Sequence, residues 1–262
     1  MKHLKTYREI FESTTSLTKQ QIDWLNKCTK GTWALNSETG LVDVEGDFDC
    51  GSMRLKGFKG VRFGKVGGGF SCHYNSLTSL EGAPQEVGGG FTCHYNSLTT
   101  LEGSPQEIGG GFSCHYNSLT TLEGAPQEVG GHFLCYGNSL TTLEGAPQEI
   151  GGDFSCNYNS LTSLEGAPKK VGGYFDCGTN SLTSLQGAPQ EVGEGFFCSK
   201  NSVSETTLKK IWNEMKSGFT YNESLKRLAS DIPKKDWDLL DKSGVELDDK
   251  FLKGNSVLRR FL

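Results

Sequence analysis

Seven cysteines recur at a constant spacing of 21 residues, and this period constrains the fold more than any other feature. A fixed period of about 20 to 50 residues is the signature of a solenoid. In a solenoid each repeat is one coil, which buries its apolar face only against neighbouring coils. The chain is therefore predicted to be a stack of near-identical coils. The cysteines are Cys72, Cys93, Cys114, Cys135, Cys156, Cys177 and Cys198.

The residues around each cysteine alternate in a pattern that predicts a short strand. Phe70 and Cys72 alternate with Gly69, Ser71 and His73, so the two sets point to opposite faces of the strand. Phenylalanine and cysteine are among the residues most often buried, which places the other set on the outward face. Stacked copies of this strand, about 4.8 Å apart, would form a parallel sheet.

Four columns of the repeat vary between copies, while the others hardly change. They lie six, four, two and one residues before a repeated asparagine, the first of which is Asn75. Their mixture of Tyr, His, Ser, Thr and Gly is similar to that of antibody paratopes. We therefore expect this outward surface to bind a partner. The expected contact residues are Ser71, His73, Tyr74, Thr92, His94, Tyr95, Ser113, His115, Tyr116, His132, Leu134, Tyr136, Asp153, Tyr158, Tyr174, Asp176 and Phe197.

The repeat resembles a known family. The spacing Phe70-x-Cys72-x-x-Asn75-x-Leu77-x-x-Leu80 resembles the leucine-rich-repeat pattern, and this resemblance covers about residues 44 to 204. The motif Leu-Thr-x-Leu followed by Pro resembles the short bacterial and tailed-phage type of that repeat. This resemblance implies an α/β solenoid, right-handed, with about eight coils. It also implies one parallel strand per coil in a concave sheet, and an asparagine ladder that is hydrogen-bonded inside the turns.

Both ends of the repeat carry signals for capping elements. Thr18 and Gln21 fit a capping box at the start of a helix. Residues 33–35 and 41–44 read as the two strands of a hairpin. After residue 204 the apolar spacing becomes helical. The expected organisation is a flexible leader or targeting peptide at 1–15, an N-terminal cap at 16–43, a solenoid at 44–203 and a C-terminal helical cap at 204–262.

Residues 4–13 resemble the capsid-targeting peptides of internal head proteins in T-even-like phages. Those peptides are cut after Ile/Leu-x-Glu, and Ile10-Phe11-Glu12 fits that site. An amphipathic leader helix would look the same. No secretory leader and no long apolar run is visible, so the expected setting is the host cytoplasm or the virion, with no membrane partner.

The charge of the solenoid argues against nucleic acid as a partner. Residues 66–202 contain 13 acidic and 3 basic residues, within a chain of net charge −5. A protein that binds phosphates needs clustered lysine and arginine. The open alternatives are a protein partner, a glycan on the row Tyr74, Tyr95, Tyr116 and Tyr158, or a role as a head-packaged or structural virion protein.

The sequence contains no recognisable catalytic motif, and we predict neither an enzyme nor a cofactor. There is no phosphate-binding loop and no nucleophile elbow. Stacked cysteines would keep their Cβ atoms near 5 Å apart, which is too far for a disulfide, so a buried column of reduced thiols is expected. The columns that begin with His73, Glu81 and Glu86 contain residue types that can bind metal ions, but exposed, solvated side chains are the favoured interpretation of each, and no metal is predicted at any of them.

Similar repeats also occur in secreted bacterial ubiquitin ligases, which join them to a helical C-terminal domain. That domain is much larger and uses a catalytic cysteine. The last cysteine of this chain is Cys198, before the predicted helical segment. The expected function is therefore non-catalytic recognition.

Overall fold

The structure, a computed structural model, describes residues 16–183, 187–198 and 200–201. These residues form a parallel β-solenoid of about seven turns with a repeat of about 21 residues. Two nine-stranded sheets line it. The predicted leader at 1–15 and the predicted helical cap at 204–262 lie outside the described residues.

One sheet, the front sheet, contains the phenylalanine strand of each coil. Its register places each phenylalanine beside the one in the next coil, for example Phe91 opposite Phe112. Its strands are parallel to one another, except that the first is antiparallel to its neighbour. The strands are β1 (Thr29–Lys30), β4 (Asp47–Asp49), β6 (Phe70–Ser71), β8 (Phe91–Thr92), β10 (Phe112–Ser113), β12 (Phe133–Leu134), β14 (Phe154–Ser155), β16 (Tyr174–Asp176) and β18 (Gly195–Phe197).

The second sheet, the back sheet, was not predicted by the sequence analysis, which described only the strand that each coil contributes to the front sheet. From residue 86 onward, each coil returns through a two-residue strand with an exposed first residue and a buried valine or isoleucine. The strands are β2 (Trp33–Leu35), β3 (Val42–Val44), β5 (Phe63–Val66), β7 (Glu86–Val87), β9 (Glu107–Ile108), β11 (Glu128–Val129), β13 (Glu149–Ile150), β15 (Lys170–Val171) and β17 (Glu191–Val192).

The core lies between the two sheets and repeats the same residue types in every coil. Phe112, Cys114, Leu119 and Leu122 are fully buried, which confirms the inward face assigned from the alternation. The phenylalanine rings stack along the solenoid, with ring centroids 5.3 Å apart for Phe70 and Phe91. Burial raises the pKa of Cys114, so its thiol stays protonated at neutral pH.

The repeated asparagines bind the backbone of two consecutive coils. The Asn117 side-chain amide donates to the carbonyls of Cys93 and Cys114, at 3.1 and 3.0 Å. Its carbonyl oxygen accepts the N–H of Leu98 at 3.0 Å. A single side chain therefore satisfies several backbone groups of the turn that have no strand partner.

The N-terminal elements pack on the first coil. Helix α1 (Lys19–Cys28) begins at the predicted capping box of Thr18 and Gln21, and β2 and β3 form the predicted antiparallel hairpin. The edge of Trp24 contacts the ring of Phe48, with centroids 5.2 Å apart, so the helix covers the end of the phenylalanine column. At ten residues, this only helix of the described part is too short and too polar to cross a membrane.

Candidate functional site

The predicted contact residues lie on the side of the front sheet that faces away from the core. The strands themselves carry Ser71, Thr92, Ser113, Leu134, Asp176 and Phe197, all half-buried, and Tyr174 begins β16. His132 and Asp153 directly precede β12 and β14. The strands are too short to include the remaining predicted residues, which follow in the turn after each buried cysteine.

Those turn residues form two rows of rings that we call the aromatic stack. The inner row contains His73, His94, His115 and Tyr136, and its ring centroids are 5.1, 4.4 and 4.3 Å apart in that order. The outer row contains Tyr74, Tyr95 and Tyr116, whose centroids are 4.4 and 4.6 Å apart. The rows contact each other edge to face, for example at 5.7 Å between Tyr74 and His94.

The outer row has a left-handed backbone, which is unfavourable for bulky residues. The φ angles of Tyr74, Tyr95, Tyr116 and Tyr158 lie between 49° and 52°. Gly137 has the same position in its coil and a φ of 65°, so the turn is one that glycine fits without strain. Strained residues of this kind cluster at functional sites, where the surrounding structure holds them in place. Thr179 and Lys200 occupy the same position with φ angles of 51° and 55°, so the left-handed turn belongs to the repeat, and tyrosine is the side chain that it most often presents.

Stacking determines which parts of the tyrosines remain available. The ring of Tyr95 lies between Tyr74 and Tyr116, so both of its faces are covered, yet 39% of the residue is exposed. Partial burial and the neighbouring Tyr74 raise the pKa of Tyr95, which keeps its hydroxyl protonated. The outer row thus presents ring edges and hydroxyl groups to solvent.

His115 differs from its prediction as an exposed contact residue. It is 9% exposed, because the rings of His94 and Tyr136 pack on either side of it. Burial, together with the nearby His94, lowers the pKa of His115 to about 4. Burial and His73 also lower the pKa of His94. Both imidazoles are therefore neutral at pH 7 and support the tyrosine row.

The rings of the histidine row do not converge on a common point. Its rings are nearly parallel, at 17° between His73 and His94 and 7° between His94 and His115, so their nitrogen lone pairs do not converge. The Nδ1 atom of His73 instead lies 2.6 Å from the Ser71 hydroxyl. Across the described residues, no group of three histidine, cysteine or acidic side chains is arranged to hold a metal ion.

The acidic columns that begin with Glu81 and Glu86 are exposed. Glu86, Glu107, Glu128 and Glu149 each begin a strand of the back sheet. Lys65 pairs with Glu86 at 3.0 Å at one end of this row, and Lys170 lies in register with Glu149 further along. The column is therefore a solvated surface, distinct from the aromatic stack.

The neutral histidines give an expected pH dependence of stability. The unfolded chain binds protons at histidine near pH 6.5, whereas His115 binds one only near pH 4 when folded, so stability falls as the pH decreases through this interval. Between pH 7 and pH 5, His115 should account for a loss of about 2 kcal/mol. Urea unfolding of the wild type and of His115→Gln at both pH values measures this difference. An equal loss in both proteins would contradict it.

The aromatic stack is interrupted in its C-terminal half. Gly137 stands where the outer row would continue, and the ring of Tyr116 leans over it toward Tyr136, with centroids 5.4 Å apart. Tyr158, in the next coil, is 55% exposed, and no ring among the described residues contacts it. Gly137 was not among the predicted site residues, although its place in a variable column was the available signal.

A comparison with protein-family models finds no family that matches the chain, and a comparison with curated proteins finds no relative.

Proposed function

We propose that this protein is a non-catalytic binding protein. It recognises a partner protein through the front face, by which we mean the side of the front sheet that faces away from the core, together with the aromatic stack. The observation that carries the proposal is the set of tyrosines held in left-handed turns on a rigid, regular scaffold. Tyrosine supplies large contact area at low conformational-entropy cost, and it is enriched at the centres of protein interfaces. Polar side chains around the stack, such as Ser71 and Thr92, supply adaptable hydrogen bonds.

The proposal includes the finer features of the leucine-rich-repeat resemblance. We propose a right-handed solenoid of the short bacterial or tailed-phage type, with the front sheet concave and with helical segments closing both ends. A host cytoplasmic or virion location fits this class. The asparagine bonds of each turn and the period of 21 residues support it.

A protein partner is favoured over a glycan by the arrangement of the rings. Sugars pack against open aromatic faces, and within the outer row the faces of Tyr95 are covered by Tyr74 and Tyr116. Apart from the open ring of Tyr158, the tyrosines expose a line of edges and hydroxyl groups, which suits hydrogen bonding to a peptide. Binding to a glycan array tests this preference. Tight binding of a sugar through the outer row would contradict it.

The binding surface can be tested with matched variants. Tyr74→Ala combined with Tyr95→Ala removes exposed side chains of the stack and should weaken partner binding by about 2 kcal/mol or more, roughly 30-fold. The control is Glu102→Gln with Glu123→Gln, which changes exposed residues outside the stack and should leave binding nearly unchanged. Tagged proteins incubated with host lysate, with captured proteins quantified by mass spectrometry, provide the measurement. Loss of capture in the control pair alone would refute the proposed surface.

A further inference from the structure

We propose that Cys28, Cys50 and Met53 bind one copper(I) ion at the N-terminal end of the cysteine column. The site is separate from the front face and does not depend on the proposed function. Two thiolates and one thioether bind the ion, and soft sulfur ligands of these two kinds are the ones that select Cu(I).

The first argument is the identity of residue 53. Met53 lies three residues after Cys50, in the position that an asparagine holds after each later cysteine of the column, as Asn75 does after Cys72. The amide of Asn75 donates to the carbonyls of Cys50 and Cys72. Met53 cannot make such bonds, and it brings a sulfur atom to this place in the turn, packed against the core.

The second argument is the distance between two of the sulfur atoms. The Sγ atom of Cys28 lies 3.7 Å from the Sδ atom of Met53. Metal–thiolate bonds are about 2.3 Å long, so two sulfur atoms that share one ion lie about 3.8 to 4.0 Å apart. A small shift of either side chain therefore seats one ion between them.

The first two strands of the front sheet bring Cys50 to the same place. Strand β1 begins directly after Cys28, and β4 ends directly before Cys50. Because these two strands are antiparallel, both cysteines lie at the same end of the pair. Both belong to one buried cluster, and burial and then the neighbouring Cys28 raise the pKa of Cys50, as expected for thiols that lie close together.

Hydrogen bonds hold the turn from Cys50 to Met53 in a fixed geometry. The side chain of Asn75 donates to the carbonyl of Cys50 at 2.9 Å and accepts the N–H of Met53 at 3.0 Å. The Asp49 carboxylate accepts the N–H of Gly51 at 2.9 Å. Bonds around the ligands of a metal orient them and tune the site.

The surroundings admit the ion and compensate its charge. Met53 is partly exposed, whereas both thiols are buried, so the ion enters past the thioether. Binding of Cu(I) releases both thiol protons, which leaves a single negative charge on the site. Burial and Asp49 raise the pKa of Cys28, while Lys27 and Lys59 lower it, so two cations lie near enough to offset that charge.

Competition for copper tests the inference. The full chain, reduced and kept free of oxygen, is titrated into the coloured complex of Cu(I) with bicinchoninate, and the loss of colour measures the copper that is transferred. The wild type should take up one Cu(I) per chain, with its circular dichroism unchanged. Cys28→Ser and Met53→Leu should each weaken the affinity for Cu(I) at least tenfold, because each removes one sulfur ligand.

Two controls separate the sulfur ligands from general effects. Met53→Leu keeps most of the apolar volume, so its loss of affinity reports the sulfur atom and not the packing. Cys114→Ala removes a thiol from the middle of the same column and should leave copper binding unchanged. Circular dichroism and the melting temperature verify that each variant is folded.

Three results would overturn the inference. They are no transfer of copper to the wild type, transfer of several ions with loss of the circular dichroism of the sheets, and an unchanged affinity in either folded ligand variant. A loss of affinity in Cys114→Ala equal to that in Cys28→Ser would also count against it. Partner capture is measured without copper, so the proposed function stands or falls separately.

Discussion

Replacing Phe112 with alanine should lower the free energy of unfolding by about 3–5 kcal/mol. The ring is fully buried and contacts Phe91 and Phe133, with centroids 5.7 and 5.1 Å apart. Its removal leaves a cavity in the middle of the phenylalanine column, where the strands above and below cannot close in. Urea unfolding followed by circular dichroism measures the change.

The matched variant is Phe112→Leu, which retains most of the apolar volume and should cost clearly less than alanine. Since each coil depends on its neighbours, the alanine variant should also broaden the unfolding transition, as the two halves of the stack become less coupled. A loss below about 1 kcal/mol for alanine would mean that the column is not continuous at this coil.

Asn117→Ala should destabilise the protein by about 1–3 kcal/mol, because it leaves the N–H of Leu98 without its acceptor in the interior of a turn. The carbonyls of Cys93 and Cys114 would each lose one of two donors and keep the other, from Asn96 and Asn138 respectively. The thermal unfolding midpoint, compared with that of the wild type, reports the effect.

The control is the adjacent Ser118→Ala, since Ser118 is exposed and its side chain should contribute within about 0.5 kcal/mol. Equal midpoints for the two variants would show that the asparagine bonds contribute little. Because the two substitutions are at adjacent positions, any general effect of changing a residue in this turn is common to both variants.

The period and the inward face of each coil were predictable because they are properties of spacing. Phe70 and Cys72 alternate with polar residues, and the buried set follows from their types. The hairpin of β2 and β3 was also predictable, since both strands are apolar and a polar turn separates them. These features depend only on nearby residues.

The back sheet was not predictable by the same argument. Each of its repeat strands, such as β9, has two residues, which is too short to show an alternating pattern. Its pairing depends on the stacking of whole coils, which brings Glu107 and Ile108 beside their copies. The recurrence of valine or isoleucine at one position, each with a branched side chain, was the only local signal.

The candidate site was predicted at the level of its columns, and its geometry was not. A tyrosine in the sequence does not indicate a left-handed backbone. Gly137, which lies in the same column, was the available sign that these turns are left-handed. The burial of His115 arises from rings in two neighbouring coils, which a reading of one coil at a time does not include. For this reason His115, a polar residue on the outward face, was predicted to be exposed.

Successive coils are joined by nearly the same contacts throughout, as the repeated pairing of Phe91 with Phe112 and of Phe112 with Phe133 illustrates. A gene that gained or lost one unit of 63 nucleotides, the coding length of 21 residues, would therefore create a junction like those already present. Unequal recombination between repeats could lengthen or shorten such a protein without a new core having to evolve. The same event would shift the order of side chains on the front face, so one genetic step would present a new surface on an old scaffold.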